Sequence, residues 1–220
     1  MSSPQPTAGR CPDTGDVRAV HSGLRREFRI FPDLLIDALA AGDGVRTSAL
    51  RDHWTLIADF LDRHHEGEDD ILWPLLEELS PDASGIVSSM KEQHDGMLAT
   101  LEAAEVAVAG CLRSGPLPDD LATLRRLAEE IDEHFDAEEA QVLPLCQAHL
   151  SAEEWERLGV HGRAGTPPGQ MPVIACLIME DADDEARAAF LAPMPAEVQA
   201  LATGPWQEEY ARYVALLRGS

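Results

Sequence analysis

Apolar residues recur at steps of three and four in four separate stretches of the chain, which is the spacing that places them on one face of an α-helix. The third stretch is the most regular and contains Val87, Met90, Met97, Leu101 and Val108. No stretch of similar length alternates with a period of two, so strands are not expected. The pattern predicts an all-α protein built around four helices.

The breaks between the four stretches carry turn residues, at Gly42-Asp43-Gly44, Ser80-Pro81-Asp82 and residues 114–119. Because these connections are short, neighbouring helices should run antiparallel, and the expected fold is an up-down-up-down four-helix bundle. Three prolines should kink or end helices, and they are Pro32, Pro74 and Pro144.

Six polar residues interrupt the apolar stripes on the face that should point into the bundle. They are His21, His64, Glu68, His94, His134 and Glu138. A buried carboxylate without a partner is strongly unfavourable, and a buried imidazole needs its nitrogens satisfied. One such residue would more often be a hydrogen-bonded core histidine. Six of them, on all four helices, are most simply satisfied together by metal coordination.

The spacing of these residues supports metal binding. His64 and His134 are each followed four residues later by a glutamate, Glu68 or Glu138. Residues i and i+4 lie about 6 Å apart along a helix and about 40° apart around it, so each pair can direct an imidazole and a carboxylate at one point. With a histidine from each remaining helix, the set offers two metal ions two nitrogens each, and the carboxylates can bridge them. Such ligands suit iron or manganese better than a closed structural zinc site.

This arrangement resembles the hemerythrin-like, or HHE cation-binding, family, in which a lone His and a His-x-x-x-Glu motif occur twice. The matching residues are His21, His64-His65-Glu66-Gly67-Glu68, His94 and His134-Phe135-Asp136-Ala137-Glu138, with Leu72-Trp73-Pro74 and Val142-Leu143-Pro144 beside them. The resemblance covers about residues 16–150. It implies two non-haem iron ions, joined by an oxo or hydroxo group and by carboxylates.

One position departs from the family. Oxygen-carrying hemerythrins have a fifth histidine one turn before the third-helix ligand, and Met90 stands there. Four histidines and two carboxylates leave more coordination positions open, which favours reactivity over storage. We therefore expect a redox, sensing or detoxifying protein that binds and reacts with O2, H2O2 or NO. A di-iron oxygenase or oxidase acting on an organic substrate, and a metal-storage or interaction protein, remain alternatives.

Several neighbouring residues compete for roles at the site. His65 lies about 100° around the helix from the residue before it, so a surface position or a supporting contact is expected rather than ligation. His53 is expected to be a core or helix-end residue. Glu139 is a weaker alternative to the carboxylate before it, and Asp132 and Asp136 are candidates to hold an imidazole N–H.

The chain divides into three predicted parts: a flexible N-terminus at residues 1–15, the bundle at 16–150 and a C-terminal extension at 151–220. The extension should begin with a short helix that starts at a capping box at Ser151 and ends at Leu158. A flexible Gly/Pro-rich stretch should follow at residues 162–169. Further helices should then pack on the outside or end of the bundle. A tail of this kind, ending in Tyr210-x-x-Tyr213, is similar to that of actinobacterial hemerythrin-domain proteins.

The charge balance limits the partners. The 17 basic and 40 acidic residues give a formal net charge of −23, which repels nucleic acid and anionic membranes. No apolar run reaches membrane-spanning length, no signal peptide is visible, and the four cysteines form no Cys-x-x-Cys pair. We expect a soluble, cytoplasmic protein whose partners are a small oxidant and, in the alternative function, a small organic substrate.

Overall fold

The structure, a computed structural model, describes residues 11–219, and every regular element in that part of the chain is helical. The all-α prediction is therefore confirmed. The α-helices are α1 (Gly15–Ala40), α2 (Gly44–Gly67), α3 (Trp73–Leu79), α4 (Ser84–Ser114), α5 (Pro118–Gln141), α6 (Leu143–His149), α7 (Ala152–Gly165), α8 (Met171–Glu180), α9 (Asp184–Leu191), α10 (Ala196–Ala202) and α11 (Pro205–Arg218). Among these helices, none combines the length and the apolar character needed to cross a lipid bilayer.

Four long helices form the bundle. α1 packs against α2 and α5, and α4 packs against α5 and α2, so the four enclose a common core. The core side of α1 shows why, since Leu24, Phe28, Phe31 and Leu35 follow the helical spacing and are each at most 2% exposed. The predicted four-helix bundle is confirmed.

The three prolines act differently from one another. Pro32 lies inside α1, which continues past it to Ala40. Pro74 and Pro144 stand in the first turns of α3 and α6, where a missing N–H is tolerated. α2 passes into α3 through a π-helix, Glu68–Leu72, whose wider turns are often found at functional sites.

The N-terminal prediction is only partly within the described residues, because residues 1–10 lie outside them. Of the rest, Thr14 is buried and its hydroxyl accepts a hydrogen bond from the side chain of Gln147 on α6. This contact ties the start of α1 to α6, which directly follows the last helix of the bundle.

The C-terminal helices cover the face of the bundle formed by α1 and α2. The predicted capping box is present, with Ser151 and Glu154 bonded reciprocally, but α7 continues to Gly165, beyond the predicted end at Leu158. Residues 162–165, predicted to be flexible, are therefore helical. α7 contacts α2, while α8 and α9 contact α1.

α8 lies very close to α1 at Gly23. A β-carbon placed there would be 2.8 Å from Cδ2 of Leu177 and 3.2 Å from its carbonyl oxygen. The absence of a side chain at this position therefore allows the two helices to pack backbone against backbone.

A buried polar network also joins the extension to the bundle. His53 on α2 places Nε2 3.0 Å from Oε2 of Glu27 on α1, and its Nδ1 is 2.7 Å from the hydroxyl of Tyr213 on α11. Burial alone would raise the pKa of Glu27. The hydrogen bond from His53 and the positive charge beside the carboxylate outweigh burial, so the pKa of Glu27 is lowered. His53 is thus a core residue, which is one of the two positions that the sequence leaves open for it.

Candidate metal centre

The four bundle helices bring the six predicted residues together in the interior. None of their side chains is more than 10% exposed, and the set is His21, His64, Glu68, His94, His134 and Glu138. Each residue comes from an inward position of its apolar stripe, so the pattern that builds the core also builds the cluster.

The four histidines form two close pairs. Nε2 of His21 on α1 lies 3.2 Å from Nε2 of His64 on α2. Nε2 of His94 on α4 lies 3.3 Å from Nε2 of His134 on α5. In each pair the same ring nitrogen is turned towards its partner, so two imidazole lone pairs can converge on one ion.

Glu68 lies between the two pairs. Its Oε1 is 3.2 Å from Nε2 of His64, and its Oε2 is 3.4 Å from Nε2 of His94. Glu68 is the first residue of the π-helix Glu68–Leu72, which breaks the regular rotation of α2 where this carboxylate enters the core. One carboxylate can therefore reach a metal at each pair.

Glu138 spans the same two pairs from the other side of the core. Its Oε2 is 3.3 Å from Nε2 of His21 and 4.0 Å from Nε2 of His134. Glu139, the weaker candidate from the sequence, instead accepts a hydrogen bond of 3.0 Å from Nδ1 of His21 and pairs with Arg18. Glu139 thus orients the imidazole of His21 and leaves the Nε2 lone pair free to face the core.

Two further histidines are held in the same way. Nδ1 of His94 donates to Oδ1 of Asp69 at 3.1 Å, and Nδ1 of His134 donates to the side-chain oxygen of Gln93 at 2.9 Å. Both bonds fix the tautomer that presents Nε2 to the cluster. The sequence did not identify these partners.

The acidic residues that the sequence proposed as imidazole partners have another role. Asp132 and Asp136 form ion pairs with Arg25, at 3.6 and 2.9 Å, and Asp132 also pairs with Arg29. These pairs connect α5 to α1 on the outside of the cluster.

His65 lies closer to the site than the sequence suggested. Its ring stacks on that of His94 with 4.1 Å between centroids and meets His134 edge-on at 5.2 Å. A nitrogen from each of these three rings lies within 4.8 Å of the other two. Two adjacent residues of α2 can both face the core because α2 packs between α1 and α4, so its buried face is wide. His64 turns towards α1, and His65 towards α4 and α5.

The carboxylates fit a bound cation. All four oxygens of Glu68 and Glu138 are buried without a hydrogen-bond partner within residues 11–219, and so is Nε2 of His65. Each unsatisfied buried polar group costs about 1–3 kcal/mol, and charged groups cost more. Metal ions between the histidine pairs would satisfy all five atoms.

The electrostatics of the cluster also suit a metal. Burial and the neighbouring Glu138 raise the pKa of Glu68 well above its ordinary value. Burial acts on Glu138 in the same direction, but His21 beside it outweighs burial and lowers its pKa to about 2. Burial and the proximity of His21 lower the pKa of His64 to about 3. The metal-free cluster thus contains a neutral imidazole ligand and a carboxyl group whose ionisation is opposed by burial, and a bound cation would favour its ionised form.

Residues 14–146 match the family described as hemerythrin HHE cation binding domain. The matched segment contains all six residues, together with His65 and the partners that orient the imidazoles. No curated protein and no solved structure matches the chain.

Proposed function

The chain belongs to the hemerythrin HHE cation-binding domain family, and we propose that its cluster holds two non-haem iron ions. The observation that carries this proposal is a set of four carboxylate oxygens that accept no hydrogen bond within residues 11–219 and lie between two imidazole pairs. The proposed ligands are His21, His64, Glu68, His94, His134 and Glu138. When bound, the iron ions would supply a redox-active centre for a small oxidant, namely O2, H2O2 or NO.

We further propose that His65 takes the place of the histidine missing at Met90. With His65, one end of the cluster has three imidazoles, and the end formed by His21 and His64 has two. The oxidant should therefore bind at the two-imidazole end, where protein ligands are fewer. With His65 as a ligand, the cluster would have five imidazoles and fewer open coordination positions than the sequence predicts.

A second feature favours reaction over reversible carriage of the oxidant. The carboxylates of Glu139 and Asp69 accept hydrogen bonds from the Nδ1–H groups of His21 and His94, respectively. Such hydrogen bonds make an imidazole a stronger donor to its metal. Held in this way, His21 and His94 would favour the higher oxidation state of bound iron, which supports the proposed redox, sensing or detoxifying role.

Metal analysis and stopped-flow spectroscopy of the purified full-length chain test this function. We expect two iron ions per chain and a change in the visible spectrum when the anaerobic ferrous protein meets O2, H2O2 or NO. No change with any of the three would refute the proposed reaction. More than two metals per chain would favour metal storage instead.

A second candidate function is oxidation of an organic substrate at the same metals. One observation favours it: a cavity beneath the C-terminal helices is lined by His64 and by apolar side chains from α8.

The four cysteines are all unpaired, which supports a reducing compartment such as the cytoplasm for either function.

A further inference from the structure

A cavity of about 120 Å³ lies between the bundle and the C-terminal helices. Its walls come from α1 and α2 on one side, and from α7, α8 and residues 190–194 on the other. Apolar side chains form most of its lining, including those of Phe60, Trp155, Ile174 and Met194. An engineered apolar cavity of about 150 Å³ binds benzene, so this one suits an apolar group of about one ring.

The bundle side of the cavity carries two adjacent residues of α2, Arg63 and His64. His64 also belongs to the metal cluster, where its Nε2 lies 3.2 Å from Oε1 of Glu68. A molecule in the cavity would therefore contact the imidazole of a proposed metal ligand.

Most charged groups around the cavity already have partners. Asp16 accepts a hydrogen bond of 3.2 Å from Nε1 of Trp155, and Arg163 is paired with Glu156. Arg63 differs from them. Its only polar contact within residues 11–219 is a long one of 3.5 Å to the side-chain oxygen of Gln170.

Arg63 forms no ion pair within residues 11–219, although the chain has 40 acidic and only 17 basic residues. Its buried Nε has no hydrogen-bond partner within the described residues. A guanidinium presents several N–H donors in a planar fork that matches the two oxygens of a carboxylate. The cavity thus combines an apolar interior with one available cationic donor.

We propose that this cavity binds a compact organic acid with an apolar body of about one ring and a single carboxylate. The carboxylate pairs with Arg63, and the apolar body packs against Ile174 beside His64. This inference extends the second candidate function by naming its class of ligand. The binding step itself needs only the cavity and Arg63, so it does not depend on bound iron.

Isothermal titration of the full-length chain with sodium benzoate tests the proposal, on both the iron-loaded and the metal-free protein. We expect one site per chain in both forms, and at least tenfold weaker binding in Arg63→Gln. Arg51→Gln is the matched control, because Arg51 lies on the same helix, is 58% exposed in its side chain and pairs with Asp52. This control should bind benzoate like the unchanged protein.

Two further measurements separate the contribution of the Arg63 charge to binding from the contribution of the apolar cavity. Benzyl alcohol, which has the ring but no charge, should bind the unchanged protein and Arg63→Gln equally. Ile174→Phe should weaken the binding of both compounds, whereas Val160→Phe, at an exposed position of α7, should weaken neither.

Two results would overturn the proposal. The first is equal binding of benzoate by the unchanged protein and Arg63→Gln. The second is binding that disappears when iron is removed, because benzoate would then be a ligand of the metal. That second result would leave the proposed iron site standing, so the two proposals can fail separately.

Discussion

Replacing Glu68 by leucine should stabilise the metal-free protein and reduce its stabilisation by iron. Both oxygens of Glu68 are buried without a partner within residues 11–219. Burial and Glu138 raise its pKa. A carboxyl group with a raised pKa in the folded state opposes folding at every pH above its unfolded value, so the effect is present at pH 7.

The size of this effect follows from the burial. Leucine has a volume close to that of glutamate and no polar atoms. An unsatisfied buried polar group costs about 1–3 kcal/mol, and replacing it by an apolar group of the same shape removes that cost. We expect about 2 kcal/mol for Glu68→Leu, which raises the Tm of a chain of this size by about 4–8 °C.

With iron bound, the unchanged protein should have a higher Tm than Glu68→Leu, which reverses the order expected without metal. At 100 times its Kd, a ligand stabilises the folded state by about 2.7 kcal/mol per site, which corresponds to about 5–11 °C in Tm. The unchanged protein should show at least this increase, whereas Glu68→Leu should show less because a carboxylate that reaches both histidine pairs is gone. Anaerobic thermal unfolding followed by circular dichroism, with chelator or with Fe(II), measures both shifts.

Glu27→Leu is the control, because Glu27 is 3% exposed but is already bonded to His53. Removing one partner of a buried pair costs about 3–5 kcal/mol, so this variant should lose stability equally with and without iron. The reasoning is refuted if Glu68→Leu destabilises the metal-free protein as much as Glu27→Leu does.

Three other outcomes are expected. His65→Ala should weaken iron binding at least tenfold in chelator competition. The control His149→Ala, at an exposed position of α6, should leave the iron affinity unchanged. Equal iron affinities of the two variants would show that His65 is not a ligand. Glu139→Gln should lower iron affinity by about 10–100-fold, as loss of a carboxylate that orients a ligand typically does, and an unchanged affinity would contradict its orienting role. Because the pKa of Glu27 is lowered from 4.5, its stabilisation is present above that pH and is lost as the pH falls through the folded value. Urea unfolding of the metal-free protein from pH 6 to pH 3 should show this loss of stability, and the loss should be smaller in Glu27→Gln. If the unchanged protein and Glu27→Gln lost the same stability over this pH range, the pair of Glu27 and His53 would not contribute to it.

The bundle and the six clustered residues could be predicted from the sequence because both leave local patterns. Apolar residues at helical spacing fix which face of each helix is buried, and a polar residue within that face stands out at once. The pairs His64/Glu68 and His134/Glu138 need only the geometry of one helix.

The remaining features of the site depend on contacts between helices. The inward position of His65 follows from α2 packing between two neighbours, and no pattern within α2 shows it. Gln93 and Asp69 meet imidazoles that are 41 and 25 residues away in the chain. The cavity likewise forms only where α7 and α8 cover α1 and α2, so spacing alone could not predict it.

The close contact at Gly23 gives separate control over the size of the cavity. Gly23 does not line the cavity, yet α8, which forms part of its roof, rests on α1 at this point. The methyl group added in Gly23→Ala would clash with Leu177 and push α8 away from α1. The side chains that line the cavity would all remain unchanged. If the cavity binds the proposed organic acid, the size of the acid that it accepts would then depend on the distance between two helix backbones.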